Sequence, residues 1–279
     1  MESECTKYER QSKMNGVNKI VLVGRVANKG DLRKAGTSDV LSFDMKTSDT
    51  WTKDGNEKTE TVTHSVVMWN ELAKAAAEAL TNGELVVVEG SIKSRETKNK
   101  DGTVRKVIEV KAFKATRLAD AESGLKGVGL NDGTLEGNIG ADADLRTVGD
   151  TTVCNFRMGV SESFKNSAGV KQDSTEWISV AIWGKRGESL QPYLTKGTRV
   201  CVSGLVFYRE YDAKDGSKQG VCEVKCSNIV LLGSPGGAAA AGASANGSDR
   251  SAARGKGTAP AAESMAPAAE SMAEDEIPF

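Results

Sequence analysis

Trp51 and Phe164 stand in matching surroundings, each beside a loop carrying lysines: Lys53 in one case, Lys165 and Lys171 in the other. Trp69 and Trp183 also match, whereas Trp177, Phe207, Tyr208 and Tyr211 face polar or charged counterparts. Aromatic faces stack on unpaired nucleic-acid bases, at about 1–3 kcal/mol per base and without base complementarity. Arg33, Lys93, Arg95, Arg146, Lys185, Arg186 and Arg209 lie near these aromatics and suit phosphates. The competing use of an aromatic is to fill a core. Phe43, Phe156 and Phe207 are expected inside; Trp51, Phe164 and Trp177, set among polar residues, are expected to stack, and Trp69 and Trp183 fit either role.

Catalytic patterns are absent. His64 is the sole histidine, and no serine or cysteine is paired with a base. There is no P-loop and no GxGxxG, and "DADLR" lacks the spaced ligands of a metal loop. His64 reads as a packed or solvated strand residue. The five cysteines (Cys5, Cys154, Cys201, Cys222 and Cys226) are odd in number and no signal peptide precedes them, which argues for reduced thiols. Cys222 and Cys226 share one strand face without a CxxC partner or nearby histidine, and read as buried thiols rather than a metal site. No cofactor or metal is expected.

The elements that must position these residues come in duplicate. "VGRVANKGDLR" (23–33) recurs as "EGNIGADADLR" (136–146), with 113 residues between the matching glycines. "FDMKTSDTW" matches "FRMGVSESF"; one residue later in register, "SVVMW" matches "SVAIW" and "NGELVVVEGSIKSRE" matches "KGTRVCVSGLVFYRE". A period this long marks a duplicated domain. Each copy reads as five short alternating strands with a helix between the third and fourth, the order of an OB-fold barrel. The first helix is "NELAKAAAEALTNG", with Leu72, Ala75, Ala76, Ala79 and Leu80 at helical spacing and Gly83 as its stop; Pro192 weakens the second. Each copy also carries a "DG" turn, at Asp101-Gly102 and Asp215-Gly216.

The predicted fold is therefore all-β: two tandem five-stranded Greek-key OB-fold barrels and a disordered C-terminal tail. The predicted organisation is an N-terminal extension (1–16), the first barrel (17–118), a connector (119–129), the second barrel (130–232), a Gly/Ala/Ser/Pro linker (233–273) and an acidic tip (274–279). The linker has too little apolar area to offset its chain entropy. Met14, just before the first patterned segment, is a possible alternative start that N-terminal sequencing decides. No apolar run approaches the roughly 20 residues of a membrane span, and no secretory segment is visible, so a cytoplasmic location is expected. Net charge is −1 over 279 residues. Residues 233–279 hold three basic and six acidic side chains, leaving +2 for the rest. Nucleic-acid affinity must then come from local basic strips and stacking rather than bulk charge.

The ordered set "NKIVLVGRV…DLR", "TSDTW", "TEWISVAIWGK", "YLTKGTRVCVSG" and the terminal "EDEIPF" resembles the bacterial single-stranded-DNA-binding proteins, of the type with two OB-folds per subunit. The resemblance covers both repeats, the tail and its tip. It implies stacking residues at Trp51 and Phe164, at Trp177 against Thr63, at Trp69 and Trp183, and at Tyr211 against Thr97. It implies basic contacts at Arg33, Arg95, Arg146, Lys185 and Arg209, with Glu71 in place of Lys185 in the first copy. The second repeat is thus expected to offer more stacking surface. The resemblance further implies that Glu274, Asp275, Glu276, Ile277, Pro278 and Phe279 dock into basic, apolar pockets on replication, recombination and repair proteins, the acids meeting a basic rim and Phe279 offering a ring and the terminal carboxylate. Removal of Ile277 to Phe279 should then abolish partner capture. It also implies a homodimer of four barrels. Two other readings remain at this point: a protein-binding adaptor with weak nucleic-acid affinity, and an OB-fold nuclease, which would need clustered carboxylates and arginines around a metal.

Overall fold

Alternation of β-branched and polar residues at a period of two produces long strands with one buried face. The computed structural model describes residues 16–53, 55–98, 102, 104–118, 129–165, 169–212 and 218–233. The acidic tip, most of the linker and N-terminal extension, Cys5, Asp101, and Asp215 with Gly216 lie outside them, as do the side chains of Lys53, Phe164 and Lys165. The first copy forms β1 (Asn18–Ala27), β2 (Arg33–Ala35), β3 (Ser38–Lys53), β4 (Asn56–Trp69), α1 (Asn70–Ala79), β5 (Leu85–Lys98) and β6 (Val104–Arg117). The second forms β7 (Leu130–Ile139), β8 (Asp144–Val148), β9 (Thr151–Lys165), β10 (Lys171–Trp183), α2 (Lys185–Leu190) with a 3-10 turn at Gln191–Tyr193, β11 (Arg199–Asp212) and β12 (Lys218–Gly233).

Each copy closes on itself. β1 pairs with both β5 and β3, and β4 runs parallel to β6; β7, β11, β9, β10 and β12 repeat the scheme. This is the OB-fold, twice. The repeated "DLR" stretch adds what the five-strand expectation lacked, a short edge strand (β2 or β8) on β3 or β9. The glycines that revealed the repeat sit where the barrel closes. A Cβ on Gly24 would lie 2.3 Å from the Lys46 carbonyl oxygen, and one on Gly137 2.3 Å from that of Gly159.

Sheet pairing also joins the copies. β1 pairs antiparallel with β7 from Asn18↔Leu135 to Val23↔Leu130, within one compact unit. At the strand end Asn18 substitutes its amide for a ladder: Nδ2 donates to Ile92 O (2.9 Å) and Oδ1 accepts from Ile92 N (2.9 Å). Asn131 does the same with Val206, at 2.8 and 3.1 Å.

Inside, Leu41, Met45, Met68 and Ile92 of the first barrel and Ile139, Met158, Ile178 and Ile182 of the second are fully buried. Phe43 and Phe156 are core, as expected; Phe207 is half-buried instead, lining an inter-barrel cleft with Thr47, Asp49 and Leu130. Cys222 is buried and Cys226 only partly so. Helix α1 buries Ala73, Ala76 and Leu80, with Ala75 and Ala79 facing out. It stops at Leu80, whose backbone turns extended, and Gly83 (φ +94°) serves the following turn. Pro192 shortens the second helix to six residues before the 3-10 turn.

Polar staples reinforce the junction. His64, fully buried, lies 2.9 Å (Nε2) from Thr47 Oγ1 and 3.0 Å (Nδ1) from Tyr208 OH of the other barrel, so the neutral ring donates through one nitrogen and accepts through the other. Burial holds its pKa down, to about 4, and pushes the Tyr208 hydroxyl well up. Glu176 accepts from the Ser94 N–H (3.1 Å) and hydroxyl (2.6 Å). Lys93 pairs with Glu162 at 2.6 Å, and Arg105 with Glu210.

Candidate nucleic-acid interface

Strand register places a basic and an aromatic residue at the two ends of one outward row in each barrel. In the first, Arg33 pairs with Val40 and Val40 with Trp69. In the second, Arg146 pairs with Val153 and Val153 with Trp183. The neighbouring pairs, Leu41–Met68 and Cys154–Ile182, point into the cores and are buried, so these rows face out. The middle valines are nonetheless buried, while Trp69 and Trp183 keep 37% and 39% exposure, available to a ligand. Lys185 is exposed two residues past Trp183; its counterpart Glu71 is held by Lys74 at 2.8 Å. Arg146 is itself paired with Asp144.

Trp177 lies on the same face of β10 as Trp183, six residues and about 20 Å away. It rests on backbone. A Cβ on Gly140 would meet its ring at 2.5 Å, one on Gly159 would come within 3.5 Å of it, and the Arg157 guanidinium carbon sits 5.7 Å from the ring centroid. The ring is 45% exposed. In the first barrel Thr63 replaces the tryptophan, and Ala27, Lys46 and Asp44 replace Gly140, Gly159 and Arg157. Sequence reasoning named Trp177 and missed its bed. The signal was present as a concerted change at four positions between the copies.

The remaining candidates divide. Parallel pairing of Ser179 with Glu223 brings Trp177 level with Val221, whose partner is Arg209. Arg209 is drawn to Glu223 at 3.3 Å, and Arg95 grips Glu109 with Nε at 2.8 Å and Nη2 at 2.7 Å, which raises its already high pKa. These two arginines sit in balanced pairs, unlike Arg33, which is exposed at its row's end. Tyr211 is 48% exposed near the end of the β11 ladder, opposite Gln219; Thr97 faces Arg105. Trp51 is half-buried opposite Lys58, and among the described residues its indole Nε1 has no hydrogen-bond partner. A cleft of ≈ 410 Å³ sets Thr63 and Asp44 of one barrel against Arg209 and Val221 of the other. Among the described residues no cluster of three or more His, Cys, Asp or Glu could hold a metal ion, and no helix is long and apolar enough to cross a membrane.

Comparison with known proteins gives this geometry a setting. Residues 17–118 and 130–232 each match the model of the Single-strand binding protein family. A Single-stranded DNA-binding protein of Deinococcus radiodurans is 27% identical over 239 residues, covering 81% of this chain and 79% of its own. Single-stranded DNA-binding protein 1 of Chlorobaculum tepidum is 37% identical over 107 residues, 38% of this chain and 66% of the relative. Among solved structures, the wild-type single-stranded DNA binding protein from Thermus aquaticus superimposes with a TM-score of 0.61 at 22% identity, covering 81% of this chain and 97% of that one, which supports the two-barrel fold.

Proposed function

Because the chain belongs to the single-strand binding protein family through both of its repeats, we propose that it binds and covers single-stranded DNA without strong sequence preference, as a binding protein and not an enzyme. The observation that carries this reading is the pair of mirrored outward rows, Arg33–Val40–Trp69 and Arg146–Val153–Trp183, together with Trp177 on its glycine bed. Half-exposed indoles offer faces to unpaired bases, and the arginines beside them offer charge to phosphates. The second barrel, with Trp177, Trp183, Arg146 and Lys185, carries more of the binding than the first.

Two further properties belong to the same proposal. The acidic tip Glu274–Phe279, outside the described residues, recruits replication, recombination and repair proteins in the cytoplasm. The chain works as a homodimer of four barrels. Supporting the dimer, the continuous β6-β5-β1-β7-β11-β12 sheet leaves Leu130 (43%) and Val230 (49%) exposed on its outer face, where a second copy would cover them.

Titration of the full chain with oligo(dT) tests the reading. Trp177→Ala and Trp183→Ala should each weaken binding by about five-fold or more, and Trp69→Ala by less than Trp183→Ala. Equal affinity of all three variants with the parent protein would contradict it.

A further inference from the structure

The first barrel has polar residues, Thr63 and Thr97, where the second has Trp177 and Tyr211, yet it exposes an aromatic that the second lacks. Phe113 on β6 is 60% exposed. It occupies a β-bulge: Gly90 pairs with Ala112 and Glu89 with Lys114, leaving Phe113 without a partner on β5. The corresponding bulge residue of the second barrel is Ser227, whose hydroxyl donates to Ser203 O at 3.0 Å. A serine therefore satisfies the bulge, and the fold itself does not ask for an exposed phenyl ring there.

Register shows what the ring adjoins. β4 and β6 run parallel with Val67 opposite Lys111, so counting on two residues brings Trp69 and Phe113 level on neighbouring strands. Lys111 and Phe113 lie outward between and after the buried Val110 and Ala112. The row Arg33–Val40–Trp69 thus continues onto Phe113. Lysines flank it: Lys111 is exposed, and Lys114 shares Glu89 with Lys19 at 3.3 and 3.2 Å. An exposed aromatic between lysines, continuous with a stacking row, has the chemistry of a base-and-phosphate contact. Continuity with the Arg33–Val40–Trp69 row favours nucleic acid as the occupant.

We propose that Phe113 is a further base-stacking residue of the first barrel, extending its Arg33–Trp69 row across β6 and offsetting the loss of aromatics at Thr63 and Thr97. This rests on the single-stranded-DNA reading above. The test compares full-length Phe113→Ala and Phe113→Tyr with the parent protein by oligo(dT) titration and by sedimentation. Phe113→Ala should weaken binding about five-fold or more, Phe113→Tyr should bind like the parent, and all three should keep one mass and one melting temperature. An oligonucleotide carrying 5-iododeoxyuridine should photo-cross-link to Phe113. Unchanged affinity of Phe113→Ala, with the parent still binding, would overturn the proposal while leaving the wider reading intact. Altered mass with unchanged affinity would assign the ring to contacts between copies and overturn it equally. Failure of the parent protein to bind oligo(dT) would instead sink the wider reading.

Discussion

His64 shows how a single residue ties the two barrels together. Its ring meets the Tyr208 ring edge-on, with centroids 5.4 Å apart and planes at 88°, in addition to the hydrogen bonds to Thr47 and Tyr208. Burial lowers its folded pKa to about 4 while the unfolded chain keeps about 6.5. Between those values the unfolded state binds more protons, so stability is full above about pH 6.5 and is lost as pH falls toward 4. The loss is on the order of 3 kcal/mol. Urea unfolding at pH 7 and pH 4.5 should show it, and His64→Ile, which installs the residue type of Ile178 at the matching position, should flatten that part of the slope. An identical slope in the variant would place the acid sensitivity elsewhere. Gly140 makes the complementary case for the site. Its backbone is ordinary, but a Cβ would stand 2.5 Å from the Trp177 ring. Gly140→Ala should displace the indole and weaken oligo(dT) binding about as much as Trp177→Ala, with the melting temperature little changed. Affinity equal to the parent protein's would mean that the bed does not hold the ring in its binding pose.

At the scale of elements, the strands of the two barrels rest on devices that repeat at the duplication offset. Asn18 and Asn131 replace ladder bonds where β1 and β7 turn toward each other, and Gly24 and Gly137 let each barrel close. Asn131→Ala leaves the Val206 N–H and C=O without these partners at a buried position, and should cost about 2–3 kcal/mol by denaturant unfolding. A change under about 0.5 kcal/mol would show that water or strand shift replaces the amide. Much of this layer was legible in the sequence. Period-two alternation located the ten long strands, and the repeat located the barrel order. The short strands β2 and β8 were not legible, because runs of three to five residues, none of them buried, carry no apolar alternation. The buried face of α1 was misassigned to Ala75 and Ala79 because an alanine-rich helix offers several faces of similar hydropathy. Phe207 was expected in a barrel core for a related reason. Its neighbours on β11 alternate correctly, but its outward face meets the other barrel, and sequence says nothing about which barrel surfaces touch.

For the whole molecule, fusing two barrels in one chain allows each to differ at the shared junction. Lys93 faces Glu162 on one side, and on the pseudo-equivalent side Phe207 and Asp49 line an open cleft. Glu176 takes two hydrogen bonds from Ser94, whereas the position equivalent to Ser94 is Tyr208, bound to His64. The rows proposed to stack lie on the outside of both barrels, and with a net charge of only −1 over the chain the proposed affinity rests on stacking and local arginines. The most direct test is tryptophan fluorescence of the full-length protein titrated with poly(dT) across a salt series. Base stacking on Trp69, Trp177 and Trp183 predicts strong quenching, saturating at tens of nucleotides per proposed dimer, with affinity falling as salt rises because phosphates are also contacted. No quenching at low salt would contradict the account, and would leave these indoles as surface packing on a scaffold that binds something other than single-stranded DNA.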